Sequence, residues 1–156
     1  MRESGAQHPS HTLIAQADIL RRFVDRISHK AGAALAQMET AGVTLAQVRL
    51  MHLIGRFAGV SISTLAESYP VSTAAVSQMV ERLVRQQLLT RNEDAVDRRR
   101  KSISLAPAGR EFLRGLEKAR TADYAAGLSR LGSASRTRLA EYLAEALADL
   151  ETDSSS

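Results

Sequence analysis

The 156-residue sequence has no cysteine. That absence excludes disulfides, thiolate nucleophiles, sulfur-ligated zinc and any switch that works by thiol oxidation. It lacks any apolar run approaching the roughly 20 residues that cross a bilayer as a helix. Its start, Met1-Arg2-Glu3-Ser4-Gly5-Ala6-Gln7-His8-Pro9, carries no apolar segment of the signal-peptide kind. A cytoplasmic location is the expectation that fits these absences. Catalytic signatures are missing too: there is no Gly-x-Ser-x-Gly elbow, no P-loop and no Gly-x-Gly-x-x-Gly turn. Histidine is sparse. His8 and His11 stand in or beside the polar start, and His29 and His52 are isolated in sequence. A zinc site drawn from these and distant carboxylates stays open, because metal ligands converge from separate elements. Ordinary surface histidines are the plainer reading, and no metal or cofactor is expected. Glu67 and Glu81 read as helix-surface carboxylates with nothing to make them an acid–base pair, so an enzyme is not expected.

What is present is basic. Twenty-one Lys and Arg stand against 17 Asp and Glu, a formal charge of +4 with a pI near 10.0. A modest excess of this kind says little, but its placement says more: Arg98, Arg99, Arg100 and Lys101 are consecutive. Such a run is ordinarily a solvated loop. Here it follows two short helices, which turns the reading toward a polyanion. The length suits one domain with a real core.

Residues 61–105 organise the rest. Ser61 is placed to cap a helix over 62–69, its hydroxyl accepting a first-turn N–H. Pro70 ends that helix by disfavouring α geometry at Tyr69. Ser72 is placed to cap a second helix over 73–87, whose apolar stripe is Val76, Met79, Val80, Leu83 and Val84. Its other face carries Thr73, Ala74, Ser77, Gln78, Arg82 and Arg85, short polar groups and long cations suited to a DNA major groove. Two strands follow, 88–92 and 101–105, the second with Ile103 and Leu105 inward and Ser102 and Ser104 outward. A helix-turn-helix followed by a basic hairpin is a winged helix.

On these residues the sequence resembles the MarR (multiple antibiotic resistance regulator) family of transcriptional regulators. The motifs are Leu65-Ala66-Glu67, Val71-Ser72, Val80-Glu81-Arg82-Leu83, Leu88 to Arg91, Asp97-Arg98-Arg99, and Leu105-Ala106-Pro107-Ala108-Gly109. The resemblance is strong over 44–116 and a matter of pattern outside it. Pro70 stands where many relatives carry Gly, and Gln78 where many carry Arg. The second departure bears directly on which DNA sequence is read.

The flanks read as helices. Over 12–38 the residues Leu13, Ala17, Leu20, Val24, Ile27, Ala31, Ala34 and Met38 keep heptad spacing. Ile14, Ile19, Phe23 and Leu35 widen the apolar surface. This helix either buries within its own chain or shares its faces with a second subunit. Gly42 breaks the pattern, and Thr44 and Gln47 form a capping box for a helix over 45–57. That helix sets Val48, Met51 and Ile54 on one face and Arg49, His52 and Arg56 on another. The polar stripe is either a solvated face or the lining of a pocket for an anionic ligand. Gly59-Val60 is placed to add a very short strand to the wing. Pro107 opens a helix to about 130 with Phe112, Leu116, Ala119, Tyr124 and Leu128 as its apolar face. Gly132 ends it. Ser133 is placed to cap a last helix bearing Leu139, Leu143, Ala146, Leu147 and Leu150, and the tail 152–156 is polar.

The expected fold is mainly α with a small β-wing. Residues 1–40 hold the N-terminal tail and a dimerisation helix, 41–106 the winged helix-turn-helix, and 107–156 the C-terminal dimerisation helices and tail. Together they make one compact domain per subunit. The interlocked homodimer is what the resemblance implies.

A DNA reading assigns roles. Arg82, Arg85, Arg98, Arg100 and Lys101 fall to phosphates. Thr73, Ala74, Ser77 and Gln78 sit early enough on the helix to reach base edges, with Gln78 suited to adenine. Ser72 caps, and Ala74 and Ser77 either touch bases or only permit close approach. By resemblance, Arg99 enters the minor groove and Asp97 orients a guanidinium. The leading expectation is a sequence-specific DNA-binding regulator, a repressor released from a palindromic operator by a small, aromatic anionic effector. A winged helix used only for protein binding, and an enzyme on a helical scaffold, are the alternatives.

Overall fold

The computed structural model describes residues 11–28, 32–57, 59–93 and 101–153. The tail positions 1–10 and 154–156, His8, His29, Ala31 and the wing tip 94–100 lie outside them. The order is α1 (His11–Ile27), α2 (Ala33–Ala41), α3 (Leu45–Gly55), α4 (Ile62–Ser68), α5 (Thr73–Arg85), β1 (Leu89–Glu93), β2 (Lys101–Leu105), α6 (Pro107–Leu128) and α7 (Ser133–Asp153). These divide into two compact units. One holds α1, α7 and the end of α6 from Thr121; the other holds everything from Gly32 to Arg120.

The single helix expected over 12–38 is two. α1 ends at Ile27, and α2 begins after Gly32, whose φ of −127° is not helical. Glycine inside a helix costs about 1 kcal/mol relative to alanine, and here the chain uses it as an N-cap instead. The heptad divides at the same place. Ala34 and Met38 on α2 pack against the winged-helix core. On α1 no residue is buried, and Leu13, Ile14, Ile19 and Leu20 are all more than half exposed. Tyr142, Leu143, Leu147 and Leu150 of α7 are exposed as well. α7 begins at Ser133 itself, so Gly132 takes the cap position, its carbonyl accepting the Arg136 N–H at 3.1 Å. Arg130 donates to the Arg26 carbonyl near the end of α1.

In the other unit, Leu50, Met51 and Ile54 of α3, Leu65 of α4, Val76, Val80 and Leu83 of α5, Leu89 of β1 and Ile103 of β2 form one buried cluster. Leu113 and Leu116 of α6 complete it. The strands are antiparallel, with Leu89 opposite Leu105 and Glu93 opposite Lys101. Val60 joins as a third segment, exchanging backbone hydrogen bonds of 3.0 and 2.8 Å with Ile103. The short strand expected at 59–60 is therefore a single bridge. Ile103 is fully buried, and Leu105 is half-buried.

Candidate nucleic-acid interface

Local chemistry sets the helix-turn-helix. Ser61 Oγ accepts the Thr64 N–H at 3.1 Å, and Ser72 Oγ accepts the Ala75 N–H at 3.3 Å, so both short helices start at a capping serine. Tyr69 is extended (φ −123°, ψ 129°), as the following proline requires. Its hydroxyl donates to the Ala46 carbonyl at 2.7 Å, which fastens the turn to α3. At the start of α3 the capping box is complete. Gln47 N–H donates to Thr44 Oγ1 at 3.3 Å, and Thr44 N–H donates to Gln47 Oε1 at 2.8 Å.

α5 divides by face. Val76, Val80 and Leu83 are buried, and Met79 and Val84 are half-buried beside them. Ser72, Thr73, Ala74, Gln78, Arg82 and Arg85 are exposed, and Ser77 is half-buried. The open face is thus the one whose residues can hydrogen-bond base edges or phosphates. Arg82 is engaged within the protein: its Nη2 donates to the Gly42 carbonyl at 2.9 Å. With Thr44, Gln47, Gln78 and Arg85 it lines a cleft of about 460 Å³.

α5 closes at Gln87, which holds a left-handed φ of 60°. Leu88 N–H bonds Leu83 O at 2.9 Å and Gln87 N–H bonds Val84 O at 2.9 Å, so the chain turns directly into β1. The hairpin's outer face is polar. Thr90 Oγ1 and Ser104 Oγ are 3.0 Å apart, and Asn92 Nδ2 donates to Ser104 Oγ at 2.9 Å. Arg91 reaches Glu81 of α5 at 3.7 Å, an exposed pair worth at most about 1 kcal/mol. Lys101 opens β2, while Asp97, Arg98, Arg99 and Arg100 lie outside the described residues.

Arg49 and His52 on α3 and Arg56 at its C-terminal cap are all exposed. His52 and Arg56 line a cleft of about 390 Å³ together with Gly55, Leu105, Arg110, Leu113 and Arg114, and Arg49 is not among its lining residues. Arg110 and Arg114 were not legible as partners of this stripe from spacing alone, since α6 is brought to α3 only by the fold. Arg110 Nη1 also donates to the Leu105 carbonyl at 2.6 Å, which holds it beside the cleft. Among the described residues no group of three or more His, Asp or Glu is arranged to hold a metal ion. No described helix is long and apolar enough to cross a membrane.

Residues 41–100 match the MarR family. The HTH-type transcriptional repressor MdtR of Bacillus subtilis (strain 168) is 33% identical over 75 residues, 48% of this chain and 48% of that protein. The chain therefore spans about half the length of that curated relative. The structure of the YusO protein from Bacillus subtilis is similar at a TM-score of 0.66 and 26% identity, covering 90% of this chain and 98% of that one. Transcriptional regulator Tm0710 from Thermotoga maritima shares the fold at a TM-score of 0.76 and 23% identity, over 92% of this chain and 99% of that one. The mainly helical fold with a small β-wing, read from the sequence, is the one these structures have.

Proposed function

We propose, from the match of residues 41–100 to the MarR family and the winged helix-turn-helix fold, that this chain is a MarR-family sequence-specific DNA-binding transcriptional repressor rather than an enzyme. The observation that carries the reading is α5. It buries Val76, Val80 and Leu83 while leaving Thr73, Ala74 and Gln78 exposed, and it leads without slack into a hairpin whose tip sequence is basic. Thr73, Ala74, Ser77 and Gln78 read base edges, with Ser72 holding the helix start. Arg85, Arg98, Arg100 and Lys101 meet phosphates, and Arg99, oriented by Asp97, enters the flanking minor groove.

The working form is a homodimer on a palindromic operator. The exposed leucines and isoleucines of α1 and α7 support this, because so many large apolar side chains left in water on two helices are a usual mark of an interface. Release comes from a small anionic, aromatic effector. The cleft with His52, Arg56, Arg110 and Arg114 above the apolar Leu105 and Leu113 supplies counter-charge and an apolar floor for such a molecule.

A retardation assay with the DNA upstream of its own gene, repeated across salt concentrations, tests the reading. Tight binding that survives excess random competitor DNA is expected. Equal, weak binding to any DNA, or none, would leave the winged helix as a protein-binding module.

A further inference from the structure

α2 ends in a left-handed closure at Gly42 (φ 60°), with Val43 N–H bonded to Met38 O at 2.9 Å and Gly42 N–H to Glu39 O at 3.0 Å. The closure satisfies two of the carbonyls that a helix end leaves without intrahelical partners. It does nothing for the carbonyls of Ala41 and Gly42. Both are met from α5 and its C-cap residue, some 40 residues further along the chain. Arg82 Nη2 donates to Gly42 O at 2.9 Å. Gln86 Nε2 donates to Ala41 O at 3.1 Å and, less closely, to Gly42 O at 3.4 Å. Gln86 is the C-cap of α5, four residues after Arg82, so the two project from the same side of the helix end. A cation at this point also opposes the negative end of the α2 dipole. The Gln86 carboxamide oxygen is buried with no hydrogen-bond partner among the described residues, so among them this side chain is held by its donor end alone.

Gln78 lies one turn before Arg82 on the same stripe and lines the same cleft. The apolar contacts of Val76, Val80 and Leu83 hold α5 to the core and choose the face it buries, but hydrophobic burial is non-directional and leaves the last few degrees of roll to directional contacts. Hydrogen bonds to two consecutive backbone carbonyls do fix it. We propose that Arg82 and Gln86 are positioning residues: they clamp the recognition helix to the turn between α2 and α3 and so set the roll with which Gln78 meets the bases. Arg82, on this inference, spends its guanidinium on the protein's own backbone instead of a DNA phosphate. The inference rests on the DNA-binding reading above.

Two variants test it. Gln86→Leu keeps the side-chain bulk and removes the unpartnered oxygen along with the donor; the loss at the Ala41 carbonyl lowers folding stability, so affinities are read on the folded fraction. Its operator affinity should still fall roughly three- to tenfold, the worth of one net hydrogen bond. Affinity for random DNA should stay within about twofold, because phosphate contacts carry it. Selection from random DNA should show a relaxed preference at the half-site position that Gln78 reads. Arg82→Ala should lower the operator-to-random ratio by a similar factor and leave the slope of log affinity against log salt unchanged. A lost phosphate contact would flatten that slope by about one unit. Destabilisation alone lowers both affinities together and leaves their ratio intact.

The clamp is overturned if Gln86→Leu keeps the wild-type ratio, or if Arg82→Ala flattens the slope and weakens both DNAs alike. If the wild-type chain itself does not distinguish operator from random DNA, the DNA-binding reading fails and takes the clamp with it. With wild-type discrimination intact, unchanged ratios sink the clamp alone.

Discussion

Gly109 of α6 lies directly against the backbone of Leu88: a Cβ at position 109 would overlap the Leu88 carbonyl oxygen. That oxygen already accepts the Ala106 N–H at 3.1 Å, so it cannot turn aside without breaking the end of the hairpin ladder. Gly109→Ala should therefore destabilise the fold by about 1–3 kcal/mol, the usual cost of forcing atoms into a packed site. Urea unfolding of the variant against wild type measures this, and an unchanged midpoint would show that α6 can move away freely.

The wing gives contrasts between neighbours. Arg99→Ala should weaken operator binding and relax any A·T preference at the flanks, because narrow A·T-rich minor grooves concentrate negative potential. Asp97→Ala should behave in the same way if Asp97 has the orienting role proposed for it, since the change then frees the guanidinium without removing a DNA contact. Arg100→Ala should weaken binding evenly across sequences and flatten the salt dependence by about one unit. In a twofold dimer the half-sites should lie about 10 base pairs apart, centre to centre. Selection from random DNA with each variant reads all of this. Wild-type affinity and flank preference in Arg99→Ala would remove the wing as a reader.

The cleft proposed for the effector separates residues that the sequence grouped. His52 and Arg56 line it and Arg49 does not. In a thermal-shift titration with benzoate and its hydroxy derivatives, His52→Ala and Arg56→Ala should lose most of the stabilisation seen with wild type. Arg49→Ala should keep it. A ligand releases DNA only through different affinities for two conformations, so the same acids should weaken operator binding by wild type. An equal response in all three variants would move the effector elsewhere.

Leu143 and Leu147 are 46% and 58% exposed on α7. Replacing both by Glu puts charge into the apolar surface assigned to the partner. The double variant should lose the dimer in sedimentation velocity and, with it, solubility or helical circular dichroism. Sedimentation as a wild-type dimer would place the interface elsewhere, and a well-folded monomer would show that dimerisation is not obligatory.

Local features of the fold were legible in the sequence because their chemistry is local. Ser61, Ser72 and the Thr44–Gln47 box are caps that a few consecutive residues define, and all three form. Val76, Val80 and Leu83 recur at helical spacing and are buried. What escaped depends on distant chain. Leu50 is fully buried although it stands off the face traced by Val48, Met51 and Ile54, because α3 is covered on more than one side. Arg82 reads as a free cation until Gly42 is brought beside it. The same is true of Arg110 and Arg114, which join His52 only once α6 crosses α3. The break near Gly32 was hidden because the heptad continues through it in sequence while serving different surroundings on either side.

Only Gln86, Gln87 and Leu88 separate α5 from β1, and Leu88 is held from both sides, by Leu83 through its N–H and by Ala106 through its carbonyl. Such a joint has no slack to absorb rotation, so the recognition helix and the base of the wing move as one lever. Any tilt that lifts α5 out of a major groove drags the hairpin with it. On the proposed DNA-binding reading, a half-site should then dissociate in one step, at a single rate, rather than through a helix-released species held on the DNA by its wing.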